Sequence, residues 1–225
     1  RFSAKLIRRP ELAFSLPAIA RASGKKRDIT LRPVEPTKAQ ATDLAAVLVQ
    51  AATIWAENID AILAGYDPPP LPTADALLLD TADQMQAAID QTASQFMTLL
   101  VTVITPALRR WAVRAEAVHR SKWVAAVKAG TGVDLATILT AQPVEEALST
   151  WLARNVALVR NVSDVTQAKI SDAVFRGYQS RTPVREVAKE IREAVGGSRA
   201  RAVRIAADQN SKLSATLDRE RQAEA

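Results

Sequence analysis

The stretch NVSDVTQAKISDAVFRGYQSRTPVREVAKEIREAVGGSRARAVRIAADQNSKLSATLDRERQAEA, Asn161 to Ala225, decides the fold, because it combines helix start and stop signals with a dense run of arginines. Ser163 is a good N-cap with Asp164 in the positive first turn, and Gly177 is a natural stop, which predicts a short first helix. Thr182 and Pro183 then open a second helix whose Val184, Val187, Ile191 and Val195 share one face. Gly196 and Gly197 are expected to end it, since glycine tolerates the left-handed conformation past a helix C-terminus. A third helix, capped by Ser198, carries a thin stripe of Ala202, Ile205, Ala206, Gln209, Leu213 and Leu217. Its other faces hold Arg199, Arg201, Arg204, Lys212, Arg219 and Arg221. Helices this thinly apolar must pack on each other or on a partner.

With NVALVRNV at Asn155 to Val162 in front, the break from Gly177 to Pro183 within, and RAVRIA at Arg201 to Ala206 behind, this region resembles the core of the phage Mu F-like minor head proteins, also called phage head morphogenesis proteins. The likeness covers about 70 residues, roughly Asn155 to Ala225, and rests on motif order and spacing. It departs after RAVRIA, where the family shows an arginine, a threonine and a glutamate and this chain has Ala207, Asp208 and Gln209. Family members continue into a Trp- and His-containing tail, and the chain begins at Arg1 without a methionine, which suggests a piece of a longer product. The resemblance implies a minor capsid component of a tailed bacteriophage. It would associate with the portal vertex during procapsid assembly, in several copies, meeting the portal protein or the major capsid protein and packaged DNA without sequence preference. Its place would be the virion, and the host cytoplasm during assembly.

Of the 225 residues, 48% are hydrophobic, mostly alanine, leucine and valine, while 4% are aromatic and seven are glycine, a balance that favours an all-α fold. Cysteine is absent, so thiol chemistry and disulfides are excluded. No apolar run approaches the roughly 18 to 20 residues of a membrane span, and Glu11 and Pro17 interrupt the signal-like stretch near the start, so no membrane partner is expected. Charge is segmented. Residues 1–33 hold nine Lys/Arg against two acids, residues 34–105 one Lys against nine acids, and residues 106–225 twenty basic against thirteen acidic groups. Both ends therefore suit polyanionic or acidic partners, while the middle does not.

Residues 1–36 lack helical periodicity and contain Pro10, Pro17, Pro33 and Pro36, which reads as an extended basic arm with Ile29 to Arg32 able to pair as an edge strand. Residues 37–142 form a long-helix region. In it Thr37 and Gln40 make a capping-box pattern, Gly65 stops the helix they open, and a stiff proline-rich spacer follows at 67–72. The next helix meets Pro106, which should end or kink it, and resumes as a segment crowded with Arg109, Arg110, Arg114, Arg120, Lys122 and Lys128. Residues 143–225 are expected to make a compact C-terminal helical module. The whole is expected to be elongated, with Trp55, Trp151, Ile191 and Leu213 buried.

His119 is the sole histidine, so a triad or a multi-histidine metal site would have to be built around it alone, and it reads most simply as a surface or half-buried side chain. Phosphate-loop, dinucleotide-binding and nucleophile-elbow patterns are missing. The pairs Asp80 with Asp83 and Glu145 with Glu146 read as solvated helix charge. A non-enzymatic binding role without metal or cofactor is therefore expected, with Arg8, Arg9, Lys25, Lys26, Arg27, Arg199, Arg201 and Arg204 as candidate contacts to DNA or an acidic partner. A second reading stays open. A helix-turn-helix regulator would use Pro183 to Val195 as its first helix, Gly196-Gly197 as the turn and Ser198 to Leu217 as the recognition helix.

Overall fold

The computed structural model describes residues 32–67, 75–132 and 142–224. The elements are α1 (Lys38–Glu57), α2 (Ile59–Leu63), α3 (Asp75–Leu99), a π-helical turn (Leu100–Ile104), α4 (Thr105–Thr131), α5 (Gln142–Gln179) and α6 (Val184–Glu224). The fold is all-α, with no strand among the described residues. The proline spacer beyond Asp67 and the connector after Gly132 lie outside those residues, as does all of the arm before Arg32.

Thr37 starts α1 as its spacing predicts: Gln40 N–H donates to Thr37 Oγ1 at 3.2 Å and Thr37 N–H donates to Gln40 Oε1 at 2.9 Å, a closed capping box. Leu44, Leu48, Ala51, Ala52 and Trp55 then fall on the buried face. Asn58 interrupts the helix before Gly65 does, its Nδ2 donating back to Ile54 O at 2.8 Å, and α2 carries Ile59, Ile62 and Leu63 into the core.

α3, the π-turn and α4 form one uninterrupted helical run, so Pro106 does not end the helix. It lies in the first turn of α4, just after a turn that already departs from α-helical bonding. Thr105 N–H bonds to Leu100 O, and its hydroxyl donates to the same carbonyl at 2.7 Å. The residues one turn before the proline, Val101 and Thr102, face solvent, so the carbonyls the proline leaves unpaired lie within reach of water. Contrary to the reading of the bare sequence, the helical spans Lys38–Leu63 and Thr81–Thr131 are each apolar enough over 18 residues to cross a membrane by length and composition.

α5 and α6 replace the three short helices expected from Asn161 onward. Ser163 is no cap: it lies buried inside α5 and accepts a hydrogen bond from Trp55 Nε1 at 2.9 Å. Gly177 sits in the last turn of α5, two residues before its end, and the left-handed position belongs to Arg181 with φ 57°. α6 runs straight through Gly196 and Gly197, and Ser198 is buried in mid-helix, accepting from Thr166 Oγ1 at 2.7 Å and donating to Ala194 O. The helix-turn-helix geometry therefore lacks its turn. Ser198 to Leu217 is the packed middle of a 41-residue rod, with Ala202, Ala206, Leu213 and Leu217 facing inward.

The chain folds back and forth, so that α1, α3, α5 and α6 contribute to the core at both ends of the bundle, while α4 contributes to one. One cluster joins Leu44 and Leu48, Ile104 and Trp111, Trp151 and Val159, and Ala206, Leu213 and Leu217. The other joins Trp55, Ile62, Met85, Ile89, Ile170, Val174, Val187 and Ile191. Both clusters span the boundary at residue 143, joining apolar faces of α5 and α6 to those of the helices before them. Trp55, Trp151, Ile191 and Leu213 are buried as their spacing predicts. Trp111 stacks on Trp151 with ring centroids 5.1 Å apart and planes 20° from parallel.

Two kinds of glycine separate in this fold. A Cβ on Gly196 or Gly197 would meet nothing within 4 Å, so alanine at either site raises stability by about 0.5–1 kcal/mol. A Cβ on Gly177 would lie 2.5 Å from Val187 Cγ2 and 2.9 Å from the Tyr66 hydroxyl, so Gly177→Ala lowers stability by about 1–3 kcal/mol. Urea denaturation measures both, and a loss of stability on Gly196→Ala would restore the turn.

Candidate functional site: the root of the basic segment

Residues Arg32 to Thr37 lie extended against the seam between α4 and α6. Local chemistry explains the conformation. Pro33 and Pro36 fix their own φ and push Arg32 and Glu35 away from helical geometry, and they leave only Val34 and Glu35 with N–H groups between Arg32 and Thr37. Val34 N–H donates to Asp218 Oδ2 at 3.1 Å, and Val34 O accepts from the Ser214 hydroxyl. Lys122 Nζ approaches Glu35 O at 3.5 Å, Asn210 Nδ2 donates to Thr37 O at 3.1 Å, and Trp111 Nε1 donates to Gln40 O at 3.0 Å. Every one of these partners is a backbone group of the segment or of the first turn of α1. The seam reads its shape rather than its side chains.

Beneath the strap lies a buried ionic cluster. Arg221 is 2% exposed, and its Nη2 donates to Glu116 Oε1 at 2.6 Å. Its Nη1 meets Nδ1 of His119, a residue 4% exposed. A guanidinium can only donate, so His119 Nδ1 accepts and the ring proton sits on Nε2. Nε2 lies 3.1 Å from Asp218 Oδ1, close enough for charge interaction but without hydrogen-bond alignment. Burial, and after it the Arg221 charge, pulls the His119 pKa down to about 4, against the opposing pull of Asp218. His119 is therefore a neutral core residue and not the surface or half-buried one its neighbour Arg120 suggests.

The polar groups of the cluster are engaged with one another and with the strap. The Ser214 hydroxyl is spent on Val34 O, and His119 Nδ1, the nitrogen that would take a proton, is occupied by Arg221. Among the described residues no group of three or more His, Asp and Glu could hold a metal ion. Asp83, Glu145 and Glu146 are exposed helix carboxylates.

Of the candidate contact residues, Arg8, Arg9, Lys25, Lys26 and Arg27 lie outside the described residues. The structure does not bring Arg199, Arg201 and Arg204 together as one patch. Arg199 reaches towards α1, with Nη2 3.5 Å from Thr53 Oγ1, while Arg201 turns to α5 and donates to Asn161 Oδ1 at 2.8 Å. Arg204 is exposed. Sequence reasoning missed His119, Asp218, Ser214 and Arg221 as a unit. Their only local signal is the i, i+4 and i+7 spacing of Ser214, Asp218 and Arg221 along the inner stripe of α6, which reads as solvated charge until α4 is laid over it.

No protein family, no curated protein and no solved structure matches this chain.

His119 sets an acid limb. It titrates near 4 in the fold against 6.5 when unfolded, so between these values the unfolded chain holds more protons and stability falls as pH falls. The contribution is whole above pH 6.5 and is lost as pH falls towards about 4. Urea midpoints measured across that window should drop for the wild-type protein and much less for His119→Asn; equal slopes would assign the limb to other groups.

Proposed function

We propose that this chain is a structural minor capsid or head morphogenesis protein of a tailed bacteriophage, which attaches at the portal vertex during procapsid assembly through its basic N-terminal segment. The observation that carries this reading is the clasp at the root of that segment. Residues 1–33 carry nine Lys/Arg against two acids, and hydrogen bonds between the backbone of Val34 and Thr37 and the side chains of Asp218, Ser214 and Asn210 fix the chain at the end of this basic stretch to the helical body. A basic stretch anchored in this way suits attachment to acidic protein surface or phosphate backbone. The order of NVALVRNV, the Gly177 to Pro183 break and RAVRIA supports the same family of roles. DNA, where it is met, is met through phosphates without base reading, since the exposed arginines of α6 are dispersed around the helix and not lined up for a groove. The helix-turn-helix alternative has no specific observation in its favour.

The test is retention on the portal protein encoded nearest to this chain in its genome, over a salt series. Removing residues 1–31 leaves the clasp intact and should lower retention about ten-fold or more at low salt, with the thermal midpoint of the body unchanged. Arg199→Ala with Arg201→Ala should lower it by less than about three-fold. Absence of portal binding, together with tight binding to one DNA sequence, would overturn the proposal.

A further inference from the structure

The strap from Arg32 to Pro36 is held without any core residue. Arg32, Pro33 and Glu35 are exposed, Val34 and Pro36 are half-buried, and none of the five belongs to either hydrophobic cluster. Its hold on the seam is polar, through Val34 N–H on Asp218, Val34 O on Ser214 and Glu35 O near Lys122. A segment held in this way can leave the body without unpacking it, since a local opening costs only the contacts it breaks. What the strap covers is a titratable ring. Val34, Glu35 and Pro36 line one side of a cavity of about 20 Å³, and His119, Lys122 and Ser214 line the other. His119 is neutral there, with Nδ1 accepting from Arg221, and a proton on Nδ1 would set one donor against another and one positive charge against a second. The charged groups around the ring come from three elements. α4 brings Glu116, Arg120 and Lys122, α6 brings Asp218 and Arg221, and the strap brings Glu35, with Arg32 at its outer end, while α1 adds only the uncharged Gln40. Asp218 serves both the ring and the strap: its Oδ1 lies 3.1 Å from His119 Nε2 and its Oδ2 takes Val34 N–H.

We propose that the strap is an acid-released latch: a proton on His119 favours the state in which Arg32 to Pro36 have left the seam while the helical body stays folded. In the closed state burial and the Arg221 charge oppose that proton more strongly than Asp218 favours it. With the strap open, water reaches the ring and Arg221 can turn away from it. The open state therefore binds the proton more tightly, and by linkage falling pH moves the strap from closed to open. Closure is favoured above pH 6.5 and loses its advantage as pH falls towards about 4. The imidazolium also draws on the carboxylate that holds Val34 N–H, which loosens the strap at its main anchor. The basic stretch of residues 1–33 is thus anchored to the body near neutral pH and released from it in acid. The latch does not depend on the portal reading, since it uses only the strap and the seam.

NMR of the full chain reads the strap and the ring separately. The exchange protection of the Val34 amide, corrected for the intrinsic pH dependence of exchange, should fall about ten-fold or more between pH 7 and pH 5. Over the same range the core amides of Leu48 and Ile191 and the helical circular dichroism should hold. His119→Asn keeps an oxygen that can accept from Arg221 but does not titrate, so its Val34 protection should change by less than about three-fold. His119 is the sole histidine, so its ring signal titrates without overlap. Val34→Pro removes the N–H that Asp218 takes, opens the strap, and should move that titration upward by about one pH unit or more. A Val34 amide that keeps its protection in acid would overturn the proposal. So would an equal loss in His119→Asn, loss of protection at Leu48 and Ile191 together with Val34, or a ring in Val34→Pro that titrates where the wild-type ring does.

Discussion

The bundle depends on α6 remaining helical through Gly196 and Gly197. Two glycines in a helix interior cost about 2 kcal/mol relative to alanine, and an isolated peptide of this sequence would break there. Tertiary packing decides otherwise. Ile191 and Val195 on one side of the pair and Ala202 and Ala206 on the other are buried against α1 and α5, and fully burying a single valine or isoleucine is worth about 1.5–3 kcal/mol. Ser198, next to the glycines, closes a buried hydroxyl pair with Thr166, so no polar group is left orphaned where the two helices approach. The continuous rod is what allows one helix to contribute Val187 to the cluster at one end and Leu217 to the cluster at the other.

Near its far end the same helix carries the buried ionic cluster, and here energetics and architecture pull differently. Desolvating Arg221, Asp218 and Glu116 is costly, and apolar residues of the same shape would stabilise the fold as well or better. What the charges add is direction. Asp218 presents an acceptor to Val34 N–H that no apolar side chain could present, and Arg221 holds His119 and Glu116 in register beneath it. The cluster thus trades stability for a defined path of the chain that leads into α1.

The helical class, the capping box at Thr37 and the burial of the four aromatic and aliphatic markers were legible in the sequence, because each rests on local spacing or composition. Element ends were not. Ser163, Ser198 and the glycine pair look like boundaries to any reading that weighs one residue and its near neighbours, and they are interior positions because partners far along the chain occupy their hydroxyls or cover their flanks. Pro106 misleads for a related reason: the π-turn before it alters the hydrogen-bond register that a proline would otherwise break. The anchoring site was illegible, since His119 and Asp218 meet across 99 positions of sequence and neither bears a motif. The candidate arginines of α6 were legible as charge, but their dispersal around the helix depends on which neighbour each one finds.

The bond between Val34 and Asp218 joins residues 184 positions apart. On a chain made from its N-terminus, the segment ahead of α1 therefore emerges before any of the helices it will lie against. It can close onto the seam only when the last turns of α6 have left the ribosome and found α4. Synthesis order makes the clasp a report that every helix of the body is in place, and any partner that recognises the segment in its fixed path would by the same contact be selecting molecules with a folded body over those without one.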